Sequence, residues 1–367
     1  MLMKKTKDQI QAEALDALSK VKRGTVAMSV GTGKTLVGLK HMASLYHDNA
    51  FFLVVAPKVS IFQSWKDDAK KFDMEYLISH ITFSTYLSLI NQDIDYQAVY
   101  LDEAHSLLKS HSLWLNDYQG ILIGLTGTPP KMEHSERAKI FNKFIPVVYK
   151  YETDDAVEDN ILNDYEIIVH TLDLDTKQNM KAGKAPKFFY TSELANYKYW
   201  TGRCGRASSD KEVQMMRIMR MKAIMNFPTK EAYAKNLLMS TTEKTLLFAN
   251  TQEQADRLCD NSYHSNNPKS EEYLEMFKSG TIDKLSTVLQ LNEGVNISNL
   301  KQGIIMHAYG NERKAAQRIG RLLRLNPDDK AIVHILCYKD TVDEKWVKEA
   351  LEGFDQTKIM WKDFGIN

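Results

Sequence analysis

Short apolar runs of strand length alternate along this chain with longer segments whose apolar positions recur at helical spacing. That is the pattern of an α/β protein with mostly parallel sheets covered by helices. In the first half, Thr25 to Ser29, Phe51 to Ala56, Ala98 to Leu101 and Ile121 to Leu125 read as buried strands. Polar or glycine-containing residues follow each of them, at the carboxyl ends where such folds make ligand contacts. The second half repeats the logic with Thr245 to Phe248, Leu285 to Leu289, Gly303 to His307 and Ala331 to Leu336, without any visible sequence repeat. At 367 residues the chain is long enough for two domains, expected over 1–150 and 151–367.

Charge adds a local feature to this plan. Lys and Arg number 48 against 47 Asp and Glu, so the chain is not a uniformly basic body. The stretch from Thr176 to Lys230, however, holds twelve Lys/Arg against three Asp/Glu, a candidate electrostatic footprint at the start of the second domain. Within it, Phe188, Phe189, Tyr190, Tyr197, Tyr199 and Trp200 are interleaved with Lys198, Arg203 and Arg206. Rings can stack on bases while cations follow phosphates, although aromatics are more often core. The methionines Met215, Met216, Met219, Met221 and Met225 suggest a packed helix.

Three separated cysteines argue against a disulfide framework, and neither they nor the ten histidines show metal-site spacing. Apolar runs such as Ala50 to Ala56 are too short to span a membrane, and Met1 to Lys5 lead into no signal-like apolar region. The expectation is a cytoplasmic protein, monomeric and without membrane contact.

Three segments carry chemistry. Val26 to Ser29 runs into Val30-Gly31-Thr32-Gly33-Lys34-Thr35 and then an apolar helical segment. Glycines there let backbone N–H groups converge on phosphate oxygens, Lys34 can reach the β- and γ-phosphates, and Thr35 can hold Mg²⁺. Met28 stands where the first glycine of the general phosphate-loop pattern falls. Asp102-Glu103-Ala104-His105 follows the strand Ala98 to Leu101; Asp102 fits a metal role and Glu103 that of a base toward water. Gln317, Arg321 and Arg324, at i, i+4 and i+7, share one helix face suited to the charge on a transferring phosphoryl group.

With these segments the chain resembles the superfamily 2 helicases and translocases, especially restriction-enzyme motor subunits and small phage helicases. Further motifs in order carry the resemblance: Val54 to Lys58, Phe83 to Tyr86, Thr126 to Pro130, Leu247 to Thr251 and Leu291 to Asn296. The resemblance implies two tandem RecA-like domains with an ATP cleft between them and nucleic acid across their shared face. It implies that Lys34, Thr35, Asp102 and Glu103 bind and hydrolyse Mg-ATP together with Gly31, Thr32 and Gly33. Gln317, Arg321 and Arg324 would act from the second domain, where Gly294 and Asn296 would lie near the nucleotide. Gln11 would read the adenine, in preference to Gln9. Pro57, Lys58, Ser84, Thr85, Asn250 and Thr251 would line the nucleic-acid backbone, and His105, Thr126 and Thr128 would couple the two sites. Val30 and Val288 stand where relatives carry threonines.

The leading expectation from this resemblance is ATP-driven movement along DNA or its unwinding. RNA as substrate, a motor subunit dependent on replication, recombination or restriction partners, and a non-stepping ATP-dependent clamp are the alternatives. A small motor without accessory domains fits a compact, viral genome by the same resemblance.

Overall fold

The computed structural model describes residues 4–29, 31–130, 135–184, 186–288, 297, 300–308, 330–352 and 354–365. Val30, Gly294, Asn296, Gln317, Arg321 and Arg324 lie outside them. The described chain forms two compact units, one reaching Asp164 and the other starting at Tyr165.

The first unit is built on six strands: β1 (Arg23–Met28), β2 (Phe52–Ala56), β3 (Ile81–Thr85), β4 (Ala98–Asp102), β5 (Ile121–Thr126) and β6 (Val147–Tyr151). They pair in parallel in the order β3-β2-β4-β5-β1-β6. Every residue of β2 and β4 is buried, as continuous apolar runs require when helices cover both faces. Helix α1 (Lys7–Ser19) opens with a capping box in which Thr6 and Gln9 satisfy each other's backbone N–H. That engagement ties the Gln9 side chain to the helix start, and Gln11, two residues on, is buried. Helix α2 (Lys34–Leu45) follows the phosphate loop, and α3 (Ser60–Lys71) buries Ile61, Trp65 and Ala69 along one stripe. Three shorter helices complete the unit: α4 (Ser112–Asp117), α5 (Glu136–Phe144) and α6 (Thr153–Glu158).

The sequence places the domain division after residue 150, whereas the chain contacts place it after Asp164. Strand β6 adds to the open side of β1, and the Ser29 hydroxyl bonds that of Thr153 at 3.0 Å, so the chain through α6 belongs to the first sheet.

The second unit holds a seven-stranded parallel sheet ordered β11-β12-β10-β13-β14-β7-β15. Its strands are β7 (Tyr165–Leu172), β10 (Thr245–Phe248), β11 (Ser262–Tyr263), β12 (Lys284–Thr287), β13 (Gln302–Ile305), β14 (Ala331–Tyr338) and β15 (Ile359–Phe364). The basic segment lies between β7 and β10. It forms an antiparallel hairpin, β8 (Met180–Lys184) with β9 (Lys187–Thr191), and then helices α7 (Glu193–Arg206), α8 (Asp210–Met225) and α9 (Pro228–Ser240). Helices α10 (Gln252–Leu258), α11 (Ser270–Ser279) and α12 (Val342–Leu351) cover the remaining sheet.

One charge of the basic segment is internal. Lys230 is fully buried on α9, where its ammonium pairs with the buried Asp343 carboxylate and lies 4.8 Å from the Tyr338 ring. The Tyr338 hydroxyl accepts from the Lys230 backbone N–H at 3.0 Å, and buried Glu193 accepts from the Thr229 and Asp175 backbone N–H groups. This network fastens α7 and α9 to β14. Met216 and Met225 of α8 are buried, but Met215 is exposed, so the methionine run packs along only part of the helix. Among the described residues no helix is long and apolar enough to cross a membrane, and no cluster of three or more metal-ligating side chains occurs.

Candidate active site

The site of the first unit sits at the carboxyl ends of three neighbouring strands, where parallel sheets bind ligands. The phosphate loop leaves β1, the acidic segment leaves β4, and Thr126 closes β5, which lies between them. Gly31 and Gly33 both have φ of +92°, a left-handed backbone that glycine adopts freely. A side chain at Gly33 would also bring its Cβ within 2.4 Å of the Gln11 amide nitrogen. Gln11 thus packs directly on the loop, donating to the Thr32 carbonyl at 3.2 Å and accepting from Lys40 at 3.3 Å. Thr32 turns its hydroxyl inward to the Ser29 carbonyl at 2.7 Å, and Lys34 lays its ammonium against the carbonyls of Met28 (3.1 Å) and Ser29 (3.3 Å). Thr35 lies in the first turn of α2, half-buried. A loop whose Lys34 ammonium lies against its own carbonyls suits an incoming polyanion, because those contacts are readily exchanged for phosphate oxygens.

Asp102 is buried at the end of β4. Its Oδ2 accepts from the Trp65 indole N–H at 2.8 Å and its Oδ1 from the Glu103 backbone N–H at 2.9 Å. Burial first, and then the neighbouring charge of Glu103, push its carboxyl up to about 6, while Lys34 draws it down. A buried carboxylate held so far above its ordinary range, beside the Thr35 hydroxyl's helix, is an oxygen donor set that fits a hard divalent cation. Asp102 and Thr35 would hold Mg²⁺, whose chemistry would be to offset charge on the phosphate oxygens. Tyr86 fixes the strand end by donating its hydroxyl to the Asp102 carbonyl at 2.9 Å.

Glu103 adopts a left-handed backbone, φ 48° and ψ 52°, an uncommon conformation for a side chain of this size. It turns the carboxylate out of the strand and toward His105, whose Nδ1 lies 3.3 Å from Glu103 Oε2. The same nitrogen lies 2.9 Å from the Thr126 hydroxyl and 3.4 Å from that of Thr128. Thr126 also accepts from the Thr128 backbone N–H at 3.2 Å, so its turn-forming and relaying contacts coexist. His105 therefore joins the acidic segment to the end of β5, bringing together the three residues expected to couple.

The expected backbone contacts divide between the units. β2 and β3 are paired with Val55 opposite Ser84 and Ala56 opposite Thr85, so exposed Pro57 and Lys58 emerge beside Ser84 and Thr85 at one sheet edge. Ser84 is itself buried, which leaves Thr85 as the more accessible hydroxyl. In the second unit, Asn250 and Thr251 follow β10; Thr251 caps α10, and the Asn250 backbone N–H donates to Gln254. Lys198 and Arg206 are exposed on α7, with Arg203 half-buried between them. His264 is structural, bonded to Asp256 at 2.8 Å and capped by Ser270. Sequence reasoning passed over Trp65 and Lys40, and took Tyr86 only as the end of the Phe83 to Tyr86 motif. Tyr86 directly follows Thr85 and could have been flagged, but nothing local ties Trp65 to Asp102.

Comparison with known proteins gives these features a context. Residues 3–131 match the family model described as type III restriction enzyme, res subunit, and residues 229–326 match the helicase conserved C-terminal domain. The DNA 3'-5' translocase XPB2 of Sulfurisphaera tokodaii is 24% identical over 91% of this chain and 82% of its own. Among solved structures, the ATP-dependent type ISP restriction-modification enzyme LlaBIII bound to DNA aligns with all of this chain at a TM-score of 0.63 and 16% identity. This chain spans only 32% of that enzyme. The Hef helicase domain of Pyrococcus furiosus aligns with 93% of this chain and 97% of its own at a TM-score of 0.51 and 13% identity. Motif order, two parallel-sheet units and these matches together support a superfamily 2 helicase or translocase.

Proposed function

We propose that this protein is an ATP-driven DNA translocase or helicase. The observation that carries the reading is the meeting of phosphate loop, acidic segment and threonine pair at adjacent strand ends, with His105 touching both Glu103 and Thr126. Lys34 and the loop N–H groups bind the phosphates, Thr35 and Asp102 hold the metal ion, and Glu103 orients and deprotonates the attacking water. Gln11 steadies the loop from beneath and stands where the adenine would be read. Gly294, Asn296, Gln317, Arg321 and Arg324 are carried over from sequence alone, the last three as the face that meets charge on the transferring phosphoryl group. Loss of the γ-phosphate changes what Glu103 faces, and His105 passes that change to Thr126 and Thr128.

DNA is favoured over RNA by the likeness to a protein named as a DNA translocase. ATPase stimulation by single-stranded DNA, duplex DNA, forked DNA and RNA decides the substrate; stimulation by RNA alone overturns the DNA reading. A second reading is favoured by the match to a restriction-enzyme subunit model, namely a motor that works with a nuclease partner. Co-purification of a nuclease, together with no unwinding by the isolated chain, would select it.

A further inference from the structure

We propose that the face of the first unit at the amino ends of β2, β3 and β4 docks a partner protein through an arginine- or lysine-bearing segment of that partner. The inference goes beyond the translocase reading, which uses the opposite, carboxyl ends of those strands. Rings from three parts of the chain gather on this face. Tyr46 caps the end of α2, Phe51 directly precedes β2, and Tyr76 and His80 belong to the single 3-10 turn Glu75–His80 that leads into β3. Tyr46 meets Tyr76 and His80 edge to face, with ring centroids 5.1 and 5.0 Å away and planes at 73° and 90°. Phe51 meets His80 at 6.3 Å.

The cluster is fixed from behind. His80 Nδ1 donates to the Ala50 carbonyl at 2.9 Å. Gln97, which leads into β4, donates its backbone N–H to the Phe51 carbonyl at 2.9 Å and its side-chain amide to the Leu45 carbonyl at 3.0 Å. Phe51 and Tyr76 are nevertheless 57% and 47% exposed. Rings packed on one another at a surface, with open faces in water, make a preorganised contact that loses little freedom when a partner covers it.

The charges around the rings select the chemistry of that partner. From His41 to Pro57, and again from Phe72 to Leu108, the sequence has no Lys or Arg. Within those stretches Asp48, Asp73, Glu75, Asp93 and Asp95 are exposed. Asp48 falls between Tyr46 and Phe51, Asp73 and Glu75 lead into Tyr76, and Asp93 and Asp95 lead into Gln97. Helix α2 adds the negative end of its dipole, since its last turn carries no basic residue. Lys70 and Lys71 close α3 at the margin, where the Lys71 ammonium lies 5.2 Å from the Phe72 ring centroid. Ring faces, carboxylates and a helix carboxyl end all attract cations. They repel the phosphates of a nucleic acid, and an uncharged apolar partner would have to desolvate the carboxylates. A guanidinium that stacks on a ring while its N–H groups meet a carboxylate satisfies both features at once. Strand β2 spans five residues, about 16 Å at the usual rise, so a partner seated here leaves Pro57, Lys58 and the phosphate loop clear.

The test titrates the full chain, labelled with fluorinated tyrosine, with a synthetic peptide of alternating arginine and alanine at physiological salt. Loss of one signal in Tyr46→Phe and of another in Tyr76→Phe identifies the two fluorine resonances. Both should shift and saturate, and the same peptide with glutamine in place of arginine should move neither. Read at Tyr46, Phe51→Ser/Tyr76→Ser and, separately, the isosteric Asp48→Asn/Glu75→Gln should each weaken binding at least about tenfold, with ATPase within about twofold of the parent. Unmoved resonances, or parental affinity in both double variants, overturn the proposal. Shifts that follow protein concentration without peptide, or that follow added duplex DNA, give the face to a second copy or to nucleic acid and overturn it as well. None of these outcomes touches the ATPase, so the translocase reading stands or falls by its own assays.

Discussion

At the residue scale, the acidic segment concentrates the chemistry and its strain. Lys34→Ala should abolish ATP turnover through loss of phosphate binding. Glu103→Gln should lower turnover by at least about a hundredfold while nucleotide still binds, since only the proton-accepting group is lost. Steady-state ATPase paired with fluorescent-nucleotide titration separates the two outcomes, and persistent turnover in both variants would remove the catalytic assignment. Trp65 offers a sharper check because its indole N–H donates directly to Asp102 Oδ2. Trp65→Phe keeps most of the ring volume and deletes the donor. The Mg²⁺ concentration needed for half-maximal ATPase should rise about tenfold or more, as loss of an outer partner of a metal ligand does elsewhere; an unchanged Mg²⁺ requirement would show that the indole only fills space.

At the scale of elements, the second unit depends on buried polar contacts that bind inserted helices to a parallel sheet. Lys230→Met leaves Asp343 charged and unpaired in the interior and should destabilise the unit by about 3–5 kcal/mol, with Lys230→Met/Asp343→Leu recovering much of that loss. Denaturant melts of the single and double variants measure it, and additive losses would mean the pair is not coupled. A second element-scale contact is pH-sensitive. His170 Nε2 lies 2.9 Å from His334 Nδ1, and His170 also meets the Tyr233 hydroxyl at 2.8 Å. Burial first, and then the charges of His334 and Lys362, push His170 down to about 3; burial and Lys362 push His334 down to about 4, with Glu166 opposing the shift there. Imidazoles in the unfolded chain protonate near their ordinary 6.5, so the unfolded state binds more protons below that pH. Stability is therefore full above about 6.5 and is lost as pH falls toward 4. The thermal midpoint should fall by several degrees between pH 7 and pH 5, at about 2–4 °C per kcal/mol for a unit of this size. A smaller fall in His170→Gln/His334→Gln is the expected result, and an equal fall would place the proton uptake elsewhere.

At the scale of the whole molecule, the proposed stepping needs groups from both units. Arg324→Ala should reduce DNA-stimulated turnover by about a thousandfold, the scale of an arginine that meets the transferring phosphoryl group, with little change in nucleotide affinity. Unaltered turnover in single-turnover assays rejects that role.

What the sequence determined by itself was the local part of this protein. Apolar runs marked β1, β2, β4, β5, β10, β12, β13 and β14, because strands buried on both faces must be continuously apolar. Edge strands β6 and β15, whose positions include polar Lys150, Lys362 and Asp363, and the internal strand β7 are not among those runs. The phosphate loop and acidic segment were legible because their chemistry depends on residues close together in sequence. Tertiary structure alone decided that Gln11 bonds the Thr32 carbonyl, that Trp65 holds Asp102, and that His105 reaches Thr126 across two paired strands. Those contacts join residues between 21 and 37 positions apart. The pairing of β4 with β5 brings His105 to Thr126, while helices packed on the sheet bring Gln11 to Thr32 and Trp65 to Asp102.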